Sequence, residues 1–436
     1  MQMDVAAAYQ AAERRYVDAN PSSAALYAAA TASLPGGNTR TALYFAPFPL
    51  YMSSARGCTL TSTDARTYID LLGEYSAGLY GHTHPRLQAE IAATAANGLS
   101  FGAQHGAEAE LARLLAARMA GLQRVRFTNS GTEATMMALA TAKIHTGRAA
   151  VLVFRGGYHG GGFVFGGSAT PHRINVPHDY VVGTYNDVAG VERVFAERAG
   201  TIAAVLVEPV MGSGGGVCAT AEFLGALRRL TAADGSLLVF DEVMTSRLFG
   251  GGGVQTELGI TPDLTVLGKY IGGGFSFGAF GGRADVMDMY DPRRAGAVPH
   301  AGTFNNNVMT MRVGACGLRE VFTAERARQL HTFGESVRRQ LNAAAATTLM
   351  KVLGCGSIMV VHFTRTAMEQ IRAPQDWADE DVRLLDLLHL EMLEEGFYMA
   401  RRGFISLSLE IGQKEADEFV AAISRFLKRH KDLVAL

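Results

Sequence analysis

Residues 264–274 read LTVLGKYIGGG, an apolar run followed by a lysine and, two residues later, three consecutive glycines. A lysine at the end of an apolar strand must reach water, pair with an acid, or give up its charge in a covalent bond. Runs of the same kind recur upstream: RVRFTNS (124–130), AAVLVF (149–154), IAAVLVEP (202–209) and GSLLVFDE (235–242). Longer helix-like stretches such as GTEATMMALATAKIHTG (131–147) separate them. Strands apolar on both faces and alternating with helices predict an α/β fold, with a mainly parallel sheet covered on both sides. In such sheets ligands bind at the carboxyl ends of the strands. Asp241 and Lys269 both stand at such ends.

The chain has 436 residues, more than one hydrophobic core usually serves, so two lobes are expected. Residues 1–60 open with a helix-like segment and turn loop-like through LPGGNTRTALYFAPFPL (34–50), contributing to the smaller lobe and the active site. Residues 61–322 carry the strand–helix alternation of the large domain. Residues 323–436 shift to amphipathic helices and short strands (SIMVVHF, FISLSL), as in a smaller α+β domain. The glycine-rich LFGGGGVQ (248–255) reads as a flexible loop by composition.

With 48% hydrophobic and 19% charged residues and a net charge of −1, the chain gives no electrostatic reason to bind nucleic acid or an anionic membrane. Small molecules and other protein subunits are the expected partners. Cys58, Cys218, Cys316 and Cys355 lie far apart without CxxC spacing, so neither a metal site nor a disulfide framework is expected. Asp4 and the mixed charges after it are unlike a secretory signal, and no uncharged apolar run reaches the ~18 residues a membrane span needs. The expected location is the cytoplasm.

TNSGTEA (128–134) joins a strand to a helix, and its small residues let backbone amides and the helix N-terminus converge on an anion. A serine followed three residues later by glutamate is also an ordinary capping arrangement. FRGGYHGG (154–161) places Tyr158 and His159 on the next strand-end turn, where an aromatic can stack on a flat ring or simply pack. Val243 is placed to press on the ring's other face. Lysine, anion cup, carboxylate and stacking aromatic are together what pyridoxal 5'-phosphate requires. The lysine forms a Schiff base with the aldehyde, and the carboxylate keeps the pyridine nitrogen protonated so that the ring acts as an electron sink.

NSGTEA, GGYHGG, VLVEPV, LLVFDEVMTSR, LGKYIGGGFSFGAFGGR and GTFNNNVMTM stand in an order and spacing that resemble class III aminotransferases of fold type I, from end to end of the chain. The resemblance implies a large domain with a mainly parallel seven-stranded sheet, a smaller α+β domain, and a homodimer with active sites shared at the subunit interface. Within the class the chain is most similar to β-amino acid aminotransferases acting on β-phenylalanine, with the glutamate-1-semialdehyde 2,1-aminomutases as relatives. Carried over to this sequence, Lys269 is the Schiff-base lysine and general base, and Asp241 the partner of the pyridine nitrogen. Ser130, Gly131 and Thr132 hold the phosphate, and Tyr158 and Val243 flank the ring. Thr303 reaches the phosphate of the other subunit's cofactor. Glu208 supports the pocket around the cofactor hydroxyl or has a structural role in its turn.

Arg40, in GGNTRTALYFAPFPL (36–50), lies among Tyr44, Phe45 and Phe48. It is either a surface arginine or, as the resemblance implies, the group that binds the substrate carboxylate, a task bidentate pairing suits. In YMARRGFISLSL (398–409), Arg402 matches the arginine that takes the acceptor keto acid, with Arg401 the competing candidate. The implied reaction moves the amino group of an aromatic β-amino acid to 2-oxoglutarate or pyruvate by a ping-pong mechanism. The alternative is an aminomutase that keeps donor and acceptor on one molecule.

Overall fold

The computed structural model describes residues 4–166, 172–377 and 379–436. Its main sheet has seven strands: β1 (Arg124–Thr128), β2 (Ala150–Phe154), β3 (Asp179–Gly183), β4 (Ile202–Val207), β5 (Leu237–Asp241), β6 (Leu264–Gly268) and β7 (Gly278–Gly282), in the order β1-β7-β6-β5-β4-β2-β3. Only β7 runs antiparallel to its neighbours, and Asp241 on β5 stands opposite Val266 on β6. Val151, Val153, Ala204, Leu206, Leu237, Val239, Leu264 and Val266 form one core with Ala134, Ala138, Leu139 and Ala142 of helix α1 (Gly131–Thr146). The residues between them, Leu152, Val205, Leu238 and Phe240, are equally buried and point the other way. Helix α2 (Ala221–Asp234), with Phe223, Leu224 and Leu227 buried, packs on β4 and β5. Burial on both faces explains the unbroken apolar runs, each large side chain contributing about 1.5–3 kcal/mol.

The chain divides into two compact units. One comprises residues up to His84, Phe333–Met368 and Trp377–Leu436; the other Pro85–Thr332 and Glu369–Asp376. The division therefore differs from one at residues 60 and 322. Strand Thr67–Asp70 pairs with Thr59–Ser62 and runs parallel to Phe397–Tyr398, which holds residues 61–84 in the smaller unit. At the other boundary His331 accepts the Phe249 amide at 3.2 Å within the larger unit. The smaller unit adds an antiparallel sheet of Met350–Cys355, Ile358–Phe363 and Phe404–Ser406, and helix Val5–Ala19 packs on Val382–Glu394.

LFGGGGVQ is not a flexible loop. Gly251 to Gln255 are buried, and a short helix, Gly253–Leu258, starts inside the motif. The buried Glu242 carboxylate accepts the amides of Val254 and Gln255 at 3.0 and 2.9 Å. A Cβ at Gly253 would stand 2.3 Å from that carboxylate, so glycine serves close approach here. Among the described residues no disulfide joins the cysteines, and no helix is long and apolar enough to cross a membrane.

Candidate active site

Six turns of the larger unit carry the expected cofactor residues. At the start of α1, Ser130 caps the helix by accepting the Glu133 amide at 3.2 Å. Glu133 reaches back to the Asn129 amide at 2.9 Å, so the capping arrangement in TNSGTEA is real. It takes the amide of Glu133, and those of Gly131 and Thr132 are the donors an anion at this terminus would meet. The Thr132 hydroxyl accepts the Gly161 amide at 3.2 Å, tying the cup to the turn after β2. Gly160 in that turn has φ +115°, and a Cβ there would lie 2.3 Å from the Thr132 hydroxyl.

Asp241 ends β5 and is buried with His159, whose Nδ1 stands 2.7 Å from Asp241 Oδ2. The Val243 amide donates to Asp241 Oδ1 at 3.0 Å. Asp241 is thus fixed through both oxygens. Glu208, just past β4, accepts the amides of Tyr158 and Gly212 at 2.9 and 3.1 Å and so joins two turns. Burial, its largest cause, pushes the Glu208 carboxyl up to about 7; Asp241 raises it further and His159 offsets part. Tyr158 keeps 44% of its surface exposed, leaving its ring accessible to a stacked partner.

Lys269 follows β6 directly, is half-buried, and has φ +55°. For a non-glycine residue this left-handed conformation costs about 1–2 kcal/mol. Gly268 before it packs tightly: a Cβ would lie 3.2 Å from Val243 and 3.6 Å from the Gly131 Cα. The turns bearing Lys269, Val243 and Gly131 are therefore in contact. Gly273 also has positive φ, +66°, and a Cβ there would press the Val313 side chain at 2.6 Å. Thr303 is exposed, and Asn305, two residues on, accepts from the Asn129 side chain at 3.0 Å beside the anion cup.

Arg40 and Arg402 belong to the smaller unit. Arg40 forms an ion pair with Glu74 through Nη1. The Arg402 guanidinium lies 5.2 Å from the centre of the Tyr75 ring and 5.6 Å from that of Phe404. Arg401 is bound side-on by Asp386, through Nε and, at 2.8 Å, through Nη2. The two adjacent arginines are thereby distinguished: one is committed to a carboxylate and the other rests on aromatic rings.

Sequence reasoning gave no role to His159, Glu74 or Tyr75. Its adjacency to Tyr158 in a turn already selected was the available signal for His159. Glu74 and Tyr75 carried none, because their position depends on backbone that neither residue favours. Gly73, Glu74, Tyr75 and Ser76 have φ of +53°, +50°, +51° and +76°.

A family profile described as "Aminotransferase class-III" matches residues 44–427. The chain is 46% identical to a beta-phenylalanine transaminase of Variovorax paradoxus over 97% of its own length and 96% of that protein's. It is 37% identical to a glutamate-1-semialdehyde 2,1-aminomutase of Rhodopirellula baltica, covering 94% and 97% of the two chains. Among solved structures, a beta-phenylalanine aminotransferase from Variovorax paradoxus superposes with TM-score 0.96 at 44% identity, covering 99% of both chains. One described as a transaminase with PLP bound gives 0.85 at 33% identity, covering 94% and 98%. The sheet order, the strand-end constellation and these likenesses over nearly the whole length agree: the chain belongs to the class III aminotransferases of fold type I.

Proposed function

We propose that this enzyme transfers the amino group of an aromatic β-amino acid, such as 3-amino-3-phenylpropanoate, to a 2-oxo acid, using pyridoxal 5'-phosphate. The observation that carries the reading is the buried His159–Asp241 pair at the end of β5, on turns in contact with those bearing Lys269 and the α1 N-terminus. The residues fit the cofactor. The Gly131 and Thr132 amides with the Ser130 and Thr132 hydroxyls suit a phosphate, and a buried carboxylate steadied by a histidine suits a protonated pyridine nitrogen. The cofactor supplies an aldehyde that condenses with amines and a ring that accepts the electron pair left when a substrate carbon loses its proton.

The protein's own residues do the rest. Asp241 would hold the proton at the ring nitrogen while His159 fixes the orientation of its carboxylate. Tyr158 and Val243 would confine the ring, and Glu208 anchors the Tyr158 turn. Lys269 Nζ would hold the cofactor at its aldehyde carbon until a substrate amine replaces it there, and the freed amine would then carry the proton away from the substrate carbon bearing nitrogen. Its tether at a strand end limits where that proton can go. Arg40 takes the β-amino acid's carboxylate, one carbon farther from the amine than in an α-amino acid, and Arg402 takes the acceptor's, whether 2-oxoglutarate or pyruvate. Amino donor and acceptor use the site in turn, releasing a 3-oxo acid first. A homodimer completes the site through Thr303. Leu99, Phe101 and Phe304, exposed at 55, 49 and 60%, provide apolar surface for that contact.

Incubating the holoenzyme with 3-amino-3-phenylpropanoate, with and without 2-oxoglutarate, tests the reading. Glutamate forms only when 2-oxoglutarate is present, and Lys269→Ala abolishes both turnover and the borohydride-sensitive visible absorbance. Full activity in that variant, or an isomerised product without any keto acid, would refute it.

A further inference from the structure

The turn Gly73–Ser76 is the most strained stretch of backbone in the smaller unit, with three successive non-glycine residues in the left-handed region. The surrounding residues hold it there. Asp70 Oδ1 accepts the amides of Leu72 and Gly73 at 3.0 and 2.9 Å, and Asp70 Oδ2 lies 2.9 Å from His82 Nε2. A Cβ at Gly73 would stand 2.6 Å from the Ser406 carbonyl oxygen, so only glycine fits. Tyr75 donates its hydroxyl to the Ala42 carbonyl at 2.7 Å, pinning the turn Thr41–Leu43 that follows Arg40. Backbone held against its preference by several independent contacts marks a place where side-chain direction matters. Here the directions are those of Glu74 toward Arg40 and of Tyr75 toward Arg402.

The ion pair uses Arg40 Nη1. A guanidinium presents two bidentate edges, and the side edge formed by Nε and Nη2 does not include the atom Glu74 occupies. We propose that Glu74 is a positioning residue for amino-donor specificity: it holds Arg40 by Nη1 so that the Nε–Nη2 edge receives the single carboxylate of the β-amino acid. This rests on the reading of Arg40 given above. Arg402, lying on Tyr75 and Phe404, keeps its attraction for the acceptor.

The test compares Glu74→Gln, Glu74→Gly and Arg40→Ala holoenzymes. Each is assayed for its donor KM with 3-amino-3-phenylpropanoate, its acceptor KM with 2-oxoglutarate, and its calorimetric Kd for 3-phenylpropanoate, which has the carboxylate without the amine. Glu74→Gly suits the left-handed φ and keeps the turn folded, with a melting temperature no lower than that of the parent. Both Glu74 variants raise the donor KM and the 3-phenylpropanoate Kd about fivefold, the factor that the ~1 kcal/mol upper end for an exposed pair converts to. The acceptor KM changes less than twofold, and the donor effect falls on KM rather than kcat. Unchanged donor binding in the Glu74 variants beside a loss in Arg40→Ala overturns the proposal and leaves Arg40 in place. A loss shared equally by both substrates also overturns it. Unchanged binding in Arg40→Ala removes the reading of Arg40 and the proposal together.

Discussion

Replacing Glu208 with glutamine separates two contributions that the buried cluster superimposes. The Glu208 carboxyl is buried, its hydrogen bonds come from the backbone amides of Tyr158 and Gly212, and burial pushes it from the ordinary 4.5 up to about 7. A carboxyl raised in this way favours the native state only while protonated. Its contribution is complete below pH 4.5 and disappears as pH rises through 7. At about 1.36 kcal/mol per pH unit the full loss is about 3 kcal/mol, of which about 2–3 kcal/mol falls between pH 5 and pH 8. Glutamine does not ionise, so the variant lacks this slope. It has one acceptor oxygen for two amides, and leaving one amide unsatisfied costs about 1–3 kcal/mol at every pH.

The variant is therefore less stable than the parent at pH 5 and approaches or passes it at pH 8. Denaturant unfolding of the cofactor-free proteins at several pH values measures the difference. Parent-minus-variant infrared spectra read the protonated carboxyl directly, with a midpoint near pH 7. A stability difference that is flat over this range, or a carboxyl signal lost near the ordinary 4.5, refutes the argument that burial dominates.

Two further outcomes follow from geometry. Gly160→Ala puts a Cβ 2.3 Å from the Thr132 hydroxyl at φ +115°; strain of about 2 kcal/mol at the anion cup weakens pyridoxal phosphate retention at least tenfold in equilibrium dialysis, and unchanged affinity would show that Thr132 yields freely. Arg402→Ala raises the acceptor KM, measured with 2-oxoglutarate, about 10- to 100-fold, the worth of a hydrogen bond to a charged group, while Arg401→Ala, whose side chain is bound to Asp386, stays within about twofold; the opposite ranking would reassign the acceptor site.

The parts of the fold legible in the sequence are those where local pattern and tertiary environment agree. β2, β4, β5 and β6 are buried on both faces and read as apolar runs, and α1 announces itself through Ser130 and the left-handed Gly147 that ends it. β7 did not show, because GAFGG has little strand propensity. Its glycines answer to neighbours distant in sequence: Cβ atoms at Gly278, Gly281 and Gly282 would stand 2.0, 2.3 and 2.0 Å from the carbonyl oxygens of Ser130, Arg124 and Asp263. The same non-locality made LFGGGGVQ look like a loop, when Gly253 makes room for Glu242 and Gly252 for the Arg118 carbonyl. Lys269, Asp241 and the α1 terminus could be assembled from sequence because each stands at a strand end or helix start. The partners that orient them, such as His159, are chosen by the folded arrangement.

Left-handed backbone sharpens the distinction. Lys269 and the stretch Glu74–Ser76 share a conformation that glycine adopts more readily, at about 1–2 kcal/mol per residue for the side chains present. At residue 269 glycine would relieve the strain and remove the amine. At residue 74 it would relieve the strain and remove the carboxylate facing Arg40. Folding stability alone favours glycine at both, so the side chains there are retained for what they touch. Strain of this kind also occurs at Ala65, Asn186 and Phe249, but three successive strained residues stand together in the turn that addresses both arginines.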